Sequence, residues 1–262
     1  MFRVIIIKNT KHRRCNEMKK SFVFVLAVLF FAVNMYAEKI YVGSDGYYKY
    51  HFADDFSEYK YLDPETNTFS EVVTVQKSEK NGIEFWKVAG NEYVMLAAKD
   101  YFLMQDYQDL FIFVKDYDSY WANEPEVSAY YEASSEKKSG SKQFGALNLL
   151  YFSFEPWISN SDKAGVGESI KVESEIEFDQ FRIVNGFIDL KKPKNYSEYG
   201  RAKTLKVYDK NNTSLGTFEI KDVSSIQEFK LPSKTKSIKI EIADTYKGDK
   251  YNEVAISVLQ CY

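Results

Sequence analysis

The chain has 262 residues, and its 35 Lys and Arg residues nearly balance its 38 Asp and Glu residues, for a formal net charge of −3. Residues 1–37 hold seven Lys or Arg and one Glu, so the remainder carries −3 − 6 = −9. This charge argues against generic nucleic-acid binding, which needs a cationic surface. Cys261 is the one cysteine after residue 37, so that part of the chain forms no internal disulfide and depends on a core for its stability.

An export signal is predicted near the N-terminus. Met18-Lys19-Lys20 supplies a charged start, an apolar run covers residues 22–33, and Ala37 stands at a cleavage position. The run is shorter than the ~20 residues that a membrane-spanning helix needs. We therefore expect residues 18–37 to be a signal peptide and residues 1–17 an upstream extension. The protein is expected to be secreted or to lie in the periplasm or cell envelope, with the membrane involved only through this signal.

Aromatic and β-branched runs in residues 38–126 predict a small β-rich domain. The predicted strands are Val72-Val73-Thr74-Val75, Glu84-Phe85-Trp86-Lys87-Val88, Tyr93-Val94-Met95-Leu96 and Leu110-Phe111-Ile112-Phe113-Val114. Asn81-Gly82 and Gly90-Asn91 are typical of hairpin turns between such strands. We expect a small antiparallel meander or barrel.

A second domain is expected over residues 127–262, after a boundary at Ala122-Asn123-Glu124-Pro125-Glu126. Within it, Ile238, Ile240 and Ile242 alternate with charged residues. Because successive side chains of a strand point to opposite faces, this pattern predicts a strand with one buried and one solvated face. Such strands are typical of an antiparallel sandwich.

Six short segments of the second region occur in the order found in a known family. They are Trp157-Ile158, Gly165-Val166-Gly167-Glu168-Ser169-Ile170, Val184-Asn185-Gly186-Phe187, Tyr199-Gly200-Arg201-Ala202-Lys203, Asp244-Thr245-Tyr246-Lys247-Gly248-Asp249-Lys250-Tyr251 and Ala255-Ile256-Ser257. Together they resemble the NADase-type glycan-binding domain, a bacterial module of the discoidin-like, galactose-binding-like β-sandwich group. The resemblance covers about residues 133–259. It implies an all-β protein, with a C-terminal antiparallel jelly-roll or galactose-binding-like sandwich after the small N-terminal β domain.

The resemblance also bears on cofactors. In the family, the segment before the tryptophan usually has the pattern Asn-Leu-x-Asp-Gly, and the closing Ile-Ser is followed by Glu. In this chain Tyr151-Phe152 and Val258 stand at those positions. Calcium is bound by several carboxylate and carbonyl oxygens, so the expected acidic ligands are absent. We expect no cofactor, although calcium occurs in the fold group.

The loops of the second region hold the candidate binding residues. Tyr and Trp offer flat apolar faces, and Arg and Asn donate hydrogen bonds, which together suit sugar rings and their hydroxyls. The candidates for glycan binding are Trp157, Asn185, Tyr196, Tyr199, Arg201, Tyr246 and Tyr251. Trp157 also fits a place in the core, and Arg201 also fits a salt bridge or carbonyl clamp that holds its loop. The predicted structural turn residues are Gly165, Gly167, Gly186 and Gly248.

Catalytic chemistry has little support in the sequence. His51 is the one histidine after residue 37, and it lies between aromatic residues, so a structural role is expected. The carboxylate pairs fit solvated surface charge: Asp54 with Asp55, Asp116 with Asp118, and Glu173 with Glu175. No His or Cys spacing typical of a metal site is present. Cys261 is expected to be an inert terminal residue.

From these observations we expect an exported, non-catalytic carbohydrate-binding protein that uses loops at one end of a β-sandwich. Its partner would be a glycan or glycoconjugate. The alternative from another class is an adaptor or structural interaction module that docks a protein of the cell envelope. A third hypothesis is a hydrolase that uses the N-terminal domain.

Overall fold

Strand-forming aromatic and β-branched residues dominate the runs between turns, and the computed structural model is nearly all β. It describes residues 38–44, 46–122, 129–160 and 163–262. The predicted signal peptide and the predicted boundary at residues 123–126 lie outside the described residues. The division into two domains at this boundary stays a prediction, and Lys39–Tyr262 packs as one compact unit.

The described part of the first region contains nine strands and one short helix. The elements are β1 (Lys39–Gly43), β2 (Lys49–Phe52), β3 (Glu58–Asp63), β4 (Thr68–Phe69), β5 (Val73–Lys80), β6 (Ile83–Val88), β7 (Asn91–Ala97), β8 (Tyr101–Gln105), β9 (Leu110–Val114) and α1 (Tyr117–Ala122). The four predicted strands are confirmed as β5, β6, β7 and β9. Asn81-Gly82 forms the predicted turn, but the next turn lies at Ala89-Gly90, because Asn91 already begins β7.

Antiparallel pairing closes this sheet on itself. Strands pair in chain order, β3 pairs with β2 and with β5, and β9 pairs back to β1. The short β4 pairs with β3 outside the ring. Eight strands therefore form a closed meander, which leaves the ring without an open edge.

Aromatic side chains fill the closed sheet. Phe52, Trp86, Phe102 and Phe113 are buried together in one cluster. The rings of Phe102 and Phe113 stack with centroids 4.7 Å apart, and Trp86 lies 5.3 Å from Phe102. A closed sheet of eight strands has an interior that side chains can just fill, so this cluster is the core of the first region.

The second region is built from shorter strands around two long ones. Its elements are β10 (Tyr130–Ala133), β11 (Lys137–Ser139), β12 (Lys142–Phe144), a 3₁₀ helix (Ala146–Leu150), β13 (Trp157–Ile158), β14 (Ser169–Asn185), α2 (Lys194–Glu198), β15 (Arg201–Asp209), β16 (Ser214–Glu219), β17 (Ile226–Tyr246) and β18 (Ala255–Cys261). Its main strands pair antiparallel.

The long strands β14 and β17 pass from one layer of a sandwich to the other. Their pairing register is interrupted between Glu173 and Phe178. On one side of this break they are flanked by β10, β15 and β16, and on the other by β13 and β18. Ile170, Ile183 and Ile240 are buried in one cluster between the layers. The predicted alternation in β17 and the predicted sandwich are confirmed.

The closed sheet and the sandwich share a further apolar cluster. Phe85 lies next to Trp86 in β6 but on the opposite face, and it packs with Val184 and Val258 of the sandwich. Both faces of β6 are therefore covered, which explains why the neighbours Phe85 and Trp86 are both buried. Ser224 Oγ also donates a 2.9 Å hydrogen bond across this contact to the carbonyl of Gly82. Within the described residues, none of the helices combines the length and apolar character needed to cross a membrane.

Candidate functional site

Two connections meet at one end of the sandwich. Together with the strand ends that flank them, they carry six of the seven predicted binding residues. One joins β14 to β15 and contains α2, and the other joins β17 to β18. The two are tied by backbone hydrogen bonds. Tyr251 N–H donates to the carbonyl of Glu198 at 2.8 Å, and Gly200 N–H donates to the carbonyl of Glu253 at 2.9 Å. These bonds hold the loop side chains in a fixed arrangement.

Glycines let these connections approach one another closely. Gly186 has φ +87°, and a Cβ there would lie 2.6 Å from the ring of Tyr196. A Cβ on Gly248 would lie 2.4 Å from the carbonyl oxygen of Glu198. The other two predicted turn glycines also have positive φ: Gly165 and Gly167. Any side chain at Gly186 or Gly248 would push the loops apart.

Arg201 acts as a clamp inside this end of the sandwich. It is 8% exposed. Its Nε and Nη2 donate to the two carboxylate oxygens of Asp222 at 2.5 and 3.0 Å. Its Nη1 donates to the carbonyls of Tyr196 and Tyr199 at 2.9 and 2.8 Å. These donors hold the α2 loop, as the salt-bridge and carbonyl-clamp alternative for Arg201 predicts, and its contact with a ligand stays a prediction.

Asn185 and Trp157 are likewise part of the interior. Both are fully buried. Asn185 Nδ2 donates to the carbonyl of Ala202 at 2.7 Å, and Ala202 N–H donates back to Asn185 Oδ1 at 3.0 Å. Trp157 Nε1 donates to the carbonyl of Ser135 at 2.9 Å. Both side chains have structural roles in the fold, which for Trp157 is the core place given above as its alternative, and their ligand contacts stay predictions.

Replacing Trp157 with alanine is expected to lower the free energy of unfolding by about 3–5 kcal/mol, because the change leaves a cavity in the sandwich core. Chemical denaturation measures this loss. Tyr130→Ala is the matched control, because Tyr130 is 56% exposed and surface changes usually stay within about 0.5 kcal/mol. Equal losses for the two variants would contradict the core position of Trp157.

Two predicted tyrosines are also held by the protein body. Tyr196 is buried, and burial raises the pKa of its hydroxyl above the ordinary value. Tyr246 is half-buried, and its hydroxyl donates to the carbonyl of Ile220 at 3.0 Å. Neither side chain lines the groove described next. Both side chains support the loops, and their part in ligand binding stays a prediction.

Tyr199 and Tyr251 line a groove of about 610 Å³ at this end of the sandwich. Their rings stack with centroids 4.4 Å apart and planes 29° apart, and both remain half-buried. Phe187 lies 5.4 Å from Tyr199, and Phe144 lies 6.0 Å from Phe187. The loop end therefore presents a continuous aromatic wall to the groove.

Another part of the groove lining comes from the first region, and no pattern in the sequence predicts it. Tyr107, in the turn between β8 and β9, lies 4.7 Å from the ring of Phe154. Its hydroxyl donates to Asp189 Oδ1 at 2.8 Å. Burial and this hydrogen bond raise the pKa of Tyr107 to about 12, so the hydroxyl stays protonated at neutral pH. Asp189 also accepts the backbone N–H of Lys191 at 2.9 Å, which joins the two parts of the lining.

Charged and amide groups complete the groove. Lys142 and Asn195 line it together with Lys192. Lys142 also forms a 3.0 Å ion pair with Glu155. Near the aromatic wall, Lys137 Nζ lies 5.4 Å from the centroid of Tyr199. The groove thus combines apolar faces with hydrogen-bond donors, a mixture common in small-molecule sites.

The other candidates for chemistry have structural surroundings. The ring of His51 packs edge-on against Phe69 with centroids 4.9 Å apart. Asp116 accepts the N–H of Ser119 at 3.1 Å, and its pKa is lowered by that hydrogen bond. Cys261 is buried, and burial raises the pKa of its thiol. Across the described residues, no three His, Cys, Asp or Glu side chains come together as a metal-binding group.

Two packed antiparallel layers, joined by long bent strands and carrying loops at one end, define the second region as a discoidin-like β-sandwich. The family model for the NAD glycohydrolase translocation F5/8 type C domain matches residues 121–262. This is more than half of the chain, and the chain belongs to this family. The resemblance drawn from the six sequence segments and the all-β fold class are both confirmed.

Several solved structures are similar to this chain. The family 32 carbohydrate-binding module of NanJ from C. perfringens, in complex with galactose, is 13% identical, with a TM-score of 0.40, 52% of this chain covered and 95% of that one. The family 32 module of EndoD from Streptococcus pneumoniae is 10% identical, with a TM-score of 0.39 and coverage of 52% and 95%. A putative chitobiase fragment from Bacteroides thetaiotaomicron is 13% identical, with a TM-score of 0.42 and coverage of 53% and 92%. No curated protein matches the chain.

Proposed function

We propose that this protein binds a glycan in the groove lined by Tyr199 and Tyr251. The stacked tyrosine pair carries the proposal. A sugar ring has an apolar face of C–H groups, and a tyrosine offers apolar area with few rotatable bonds to immobilise. The pair is half-buried and held by backbone hydrogen bonds of its loops, so little conformational entropy is lost when a ligand binds.

The polar groups of the groove suit sugar hydroxyls. Lys142, Lys192 and Asn195 provide ammonium and amide donors. Asp189 and Glu155 provide acceptors on the same walls. The volume of about 610 Å³ lies within the range of roughly 300–1,000 Å³ typical of small-molecule sites. We infer that the groove takes one end of an oligosaccharide, with hydroxyls bonded to these groups and a ring face on the tyrosines.

The proposal includes export and a non-catalytic role. Residues 18–37 have the pattern of a signal peptide. In the groove, Asp189 accepts hydrogen bonds from Tyr107 and from the N–H groups of Lys191 and Lys192. Asp189 therefore suits positioning of the walls.

We also propose that binding needs no calcium. Val258 occupies a position where the resemblance implies an acidic residue. In this fold Val258 is buried in the cluster shared with the closed sheet, against Phe85. A carboxylate at this position would be desolvated, at a cost of several kcal/mol. The packing of the first region against the sandwich thus gives a physical reason for the apolar residue.

A glycan array probed with the purified protein, with and without chelator, tests the proposal. We expect saturable binding to one class of sugar, unchanged by chelator. A blank array from well-folded protein would overturn it and favour the envelope adaptor. A protein captured from envelope extract in stoichiometric amount, in the presence of competing sugars, would then identify that partner.

A further inference from the structure

The β11–β12 hairpin supplies part of the lining of the tyrosine groove. Ser139, Lys142 and Phe144 line that groove. Within the hairpin, Lys137 pairs with Phe144, and Ser139 pairs with Lys142. Directly paired residues share one face of a sheet and successive residues alternate between faces. Lys137 therefore lies on the same face as the three lining side chains, and Lys138 lies on the opposite face.

The hairpin is attached to the sandwich through its side chains. It forms a two-stranded sheet of its own. Across the described ranges, none of its backbone groups bonds to the sheet of the sandwich. A lone two-stranded hairpin is only marginally stable in water. The place of the hairpin beside the groove therefore depends on what its side chains contact.

Lys137 makes the stronger of the two ion pairs of the hairpin. Its Nζ lies 2.6 Å from Glu253 Oε1, and the two side chains are 21% and 24% exposed. The other pair joins Lys142 to Glu155 at 3.0 Å, and both of its members are well exposed. Opposite charges attract more strongly where water is partly excluded, and exposed pairs contribute little. The Lys137–Glu253 pair is thus the main polar attachment.

Both members of the Lys137–Glu253 pair are charged at neutral pH. Burial by itself would lower the pKa of Lys137, but the hydrogen bond with Glu253 and the nearby charges raise it. Burial would raise the pKa of Glu253, but its hydrogen bonds, chiefly the one with Lys137, lower it. The charged forms are therefore favoured on both sides of the pair.

The same pair contacts the loops that carry the tyrosines. Lys137 Nζ lies 5.4 Å from the ring centroid of Tyr199 and 5.2 Å from that of Tyr251. The carbonyl of Glu253 accepts the N–H of Gly200, which is one of the bonds that tie the two connections together. One side chain thus joins the hairpin to the tyrosine pair and to its supporting loops.

We infer that Lys137 is a positioning residue of the glycan site, which holds the β11–β12 hairpin against Tyr199 and Tyr251. It thereby places Ser139, Lys142 and Phe144 in reach of the ligand. This inference rests on the proposed glycan binding. The apparent affinity of a ligand falls with the fraction of protein in the competent arrangement, so a loosened hairpin weakens binding even when the tyrosines stay in place.

Lys137→Met tests the inference, because it keeps the length of the side chain and removes its charge. We expect the best ligand of the glycan array to bind about tenfold more weakly, as for loss of a hydrogen bond between charged groups. Lys137→Arg keeps the charge and should stay within about twofold of wild type. Lys138→Met is the same change on the exposed opposite face and should bind as wild type. Wild-type affinity for Lys137→Met, or equal losses for Lys137→Met and Lys138→Met, would overturn the inference.

Glu253→Gln assigns the effect to the ion pair. It should weaken binding as Lys137→Met does, and the double variant Lys137→Met/Glu253→Gln should be no weaker than either single change. Two changes that remove one shared interaction are not additive. Losses that multiply in the double variant would contradict a role of Lys137 through Glu253.

Amide hydrogen exchange in the free protein follows the hairpin without any ligand. We expect exchange in residues 137–144 to rise by at least about threefold in Lys137→Met and to stay unchanged in Lys138→Met. Unchanged exchange in both variants would overturn the inference. A blank glycan array beside a loosened hairpin would reject the glycan function and with it this role of Lys137. Wild-type binding by Lys137→Met, with binding lost in Tyr199→Ala/Tyr251→Ala, would reject the role of Lys137 alone.

Discussion

Arg201→Ala is expected to lower the free energy of unfolding by about 3 kcal/mol. The change leaves Asp222 without its ion-pair partner and removes donors from the carbonyls of Tyr196 and Tyr199. Breaking a buried ion pair from one side costs about 3–5 kcal/mol, and Asp222 is 36% exposed, which places the loss at the lower end. Urea denaturation followed by circular dichroism measures it.

Lys203→Ala is the matched control for Arg201→Ala. Lys203 is two residues away on β15 and pairs with Asp244 at 2.7 Å, but both partners are well exposed. Exposed ion pairs contribute at most about 1 kcal/mol, so this variant should unfold almost as wild type does. An Arg201→Ala variant of wild-type stability that binds no glycan would contradict the clamp and restore a direct ligand contact.

Tyr199→Ala/Tyr251→Ala is expected to weaken glycan binding by at least about 30-fold, because tyrosines of a binding centre often contribute 2 kcal/mol or more. Both rings are half-buried, so the fold should lose much less than it does with Trp157→Ala. The measurement is a binding isotherm with the best ligand of the array, beside a thermal melt of the same sample.

Tyr208→Ala provides the comparison for the tyrosine pair. Tyr208 is a half-buried tyrosine on β15 outside the groove, with Lys239 Nζ 5.0 Å from its ring centroid. It should bind glycan as wild type does. If Tyr208→Ala weakened glycan binding as much as Tyr199→Ala/Tyr251→Ala does, the weaker binding would have to come from a general disturbance of the sandwich and not from the groove.

Local patterns in the sequence were sufficient to predict four strands of the first region, the alternating strand β17 and one of the two hairpin turns. The alternation of Ile238, Ile240 and Ile242 predicts a single strand with one buried face. Asn81-Gly82 predicts a single turn. For the first region the sequence predicted a meander or a barrel and did not decide between an open and a closed sheet. Closure of the sheet depends on pairing of β9 with β1. These two strands are far apart in the chain, so no local sequence pattern contains both.

The site residues were only partly predictable, because one residue type serves two purposes. Arg201 and Asn185 have the donors of a ligand site, yet those donors are used by Asp222 and Ala202 inside the fold. Tyr107 was missed, because its place in the same groove as Tyr199 arises from packing of the first region on the sandwich. Only the structure shows how deeply each side chain is buried and which groups its donors bond to. These two observations distinguish a ligand contact from a structural role.

A crystal structure of the protein with the best ligand of the glycan array would show directly whether the tyrosine groove is the binding site. We predict a sugar ring in van der Waals contact with Tyr199 and Tyr251, with hydroxyls near Lys192 and Asn195. A ligand bound away from the tyrosine pair, with the groove empty, would contradict this prediction.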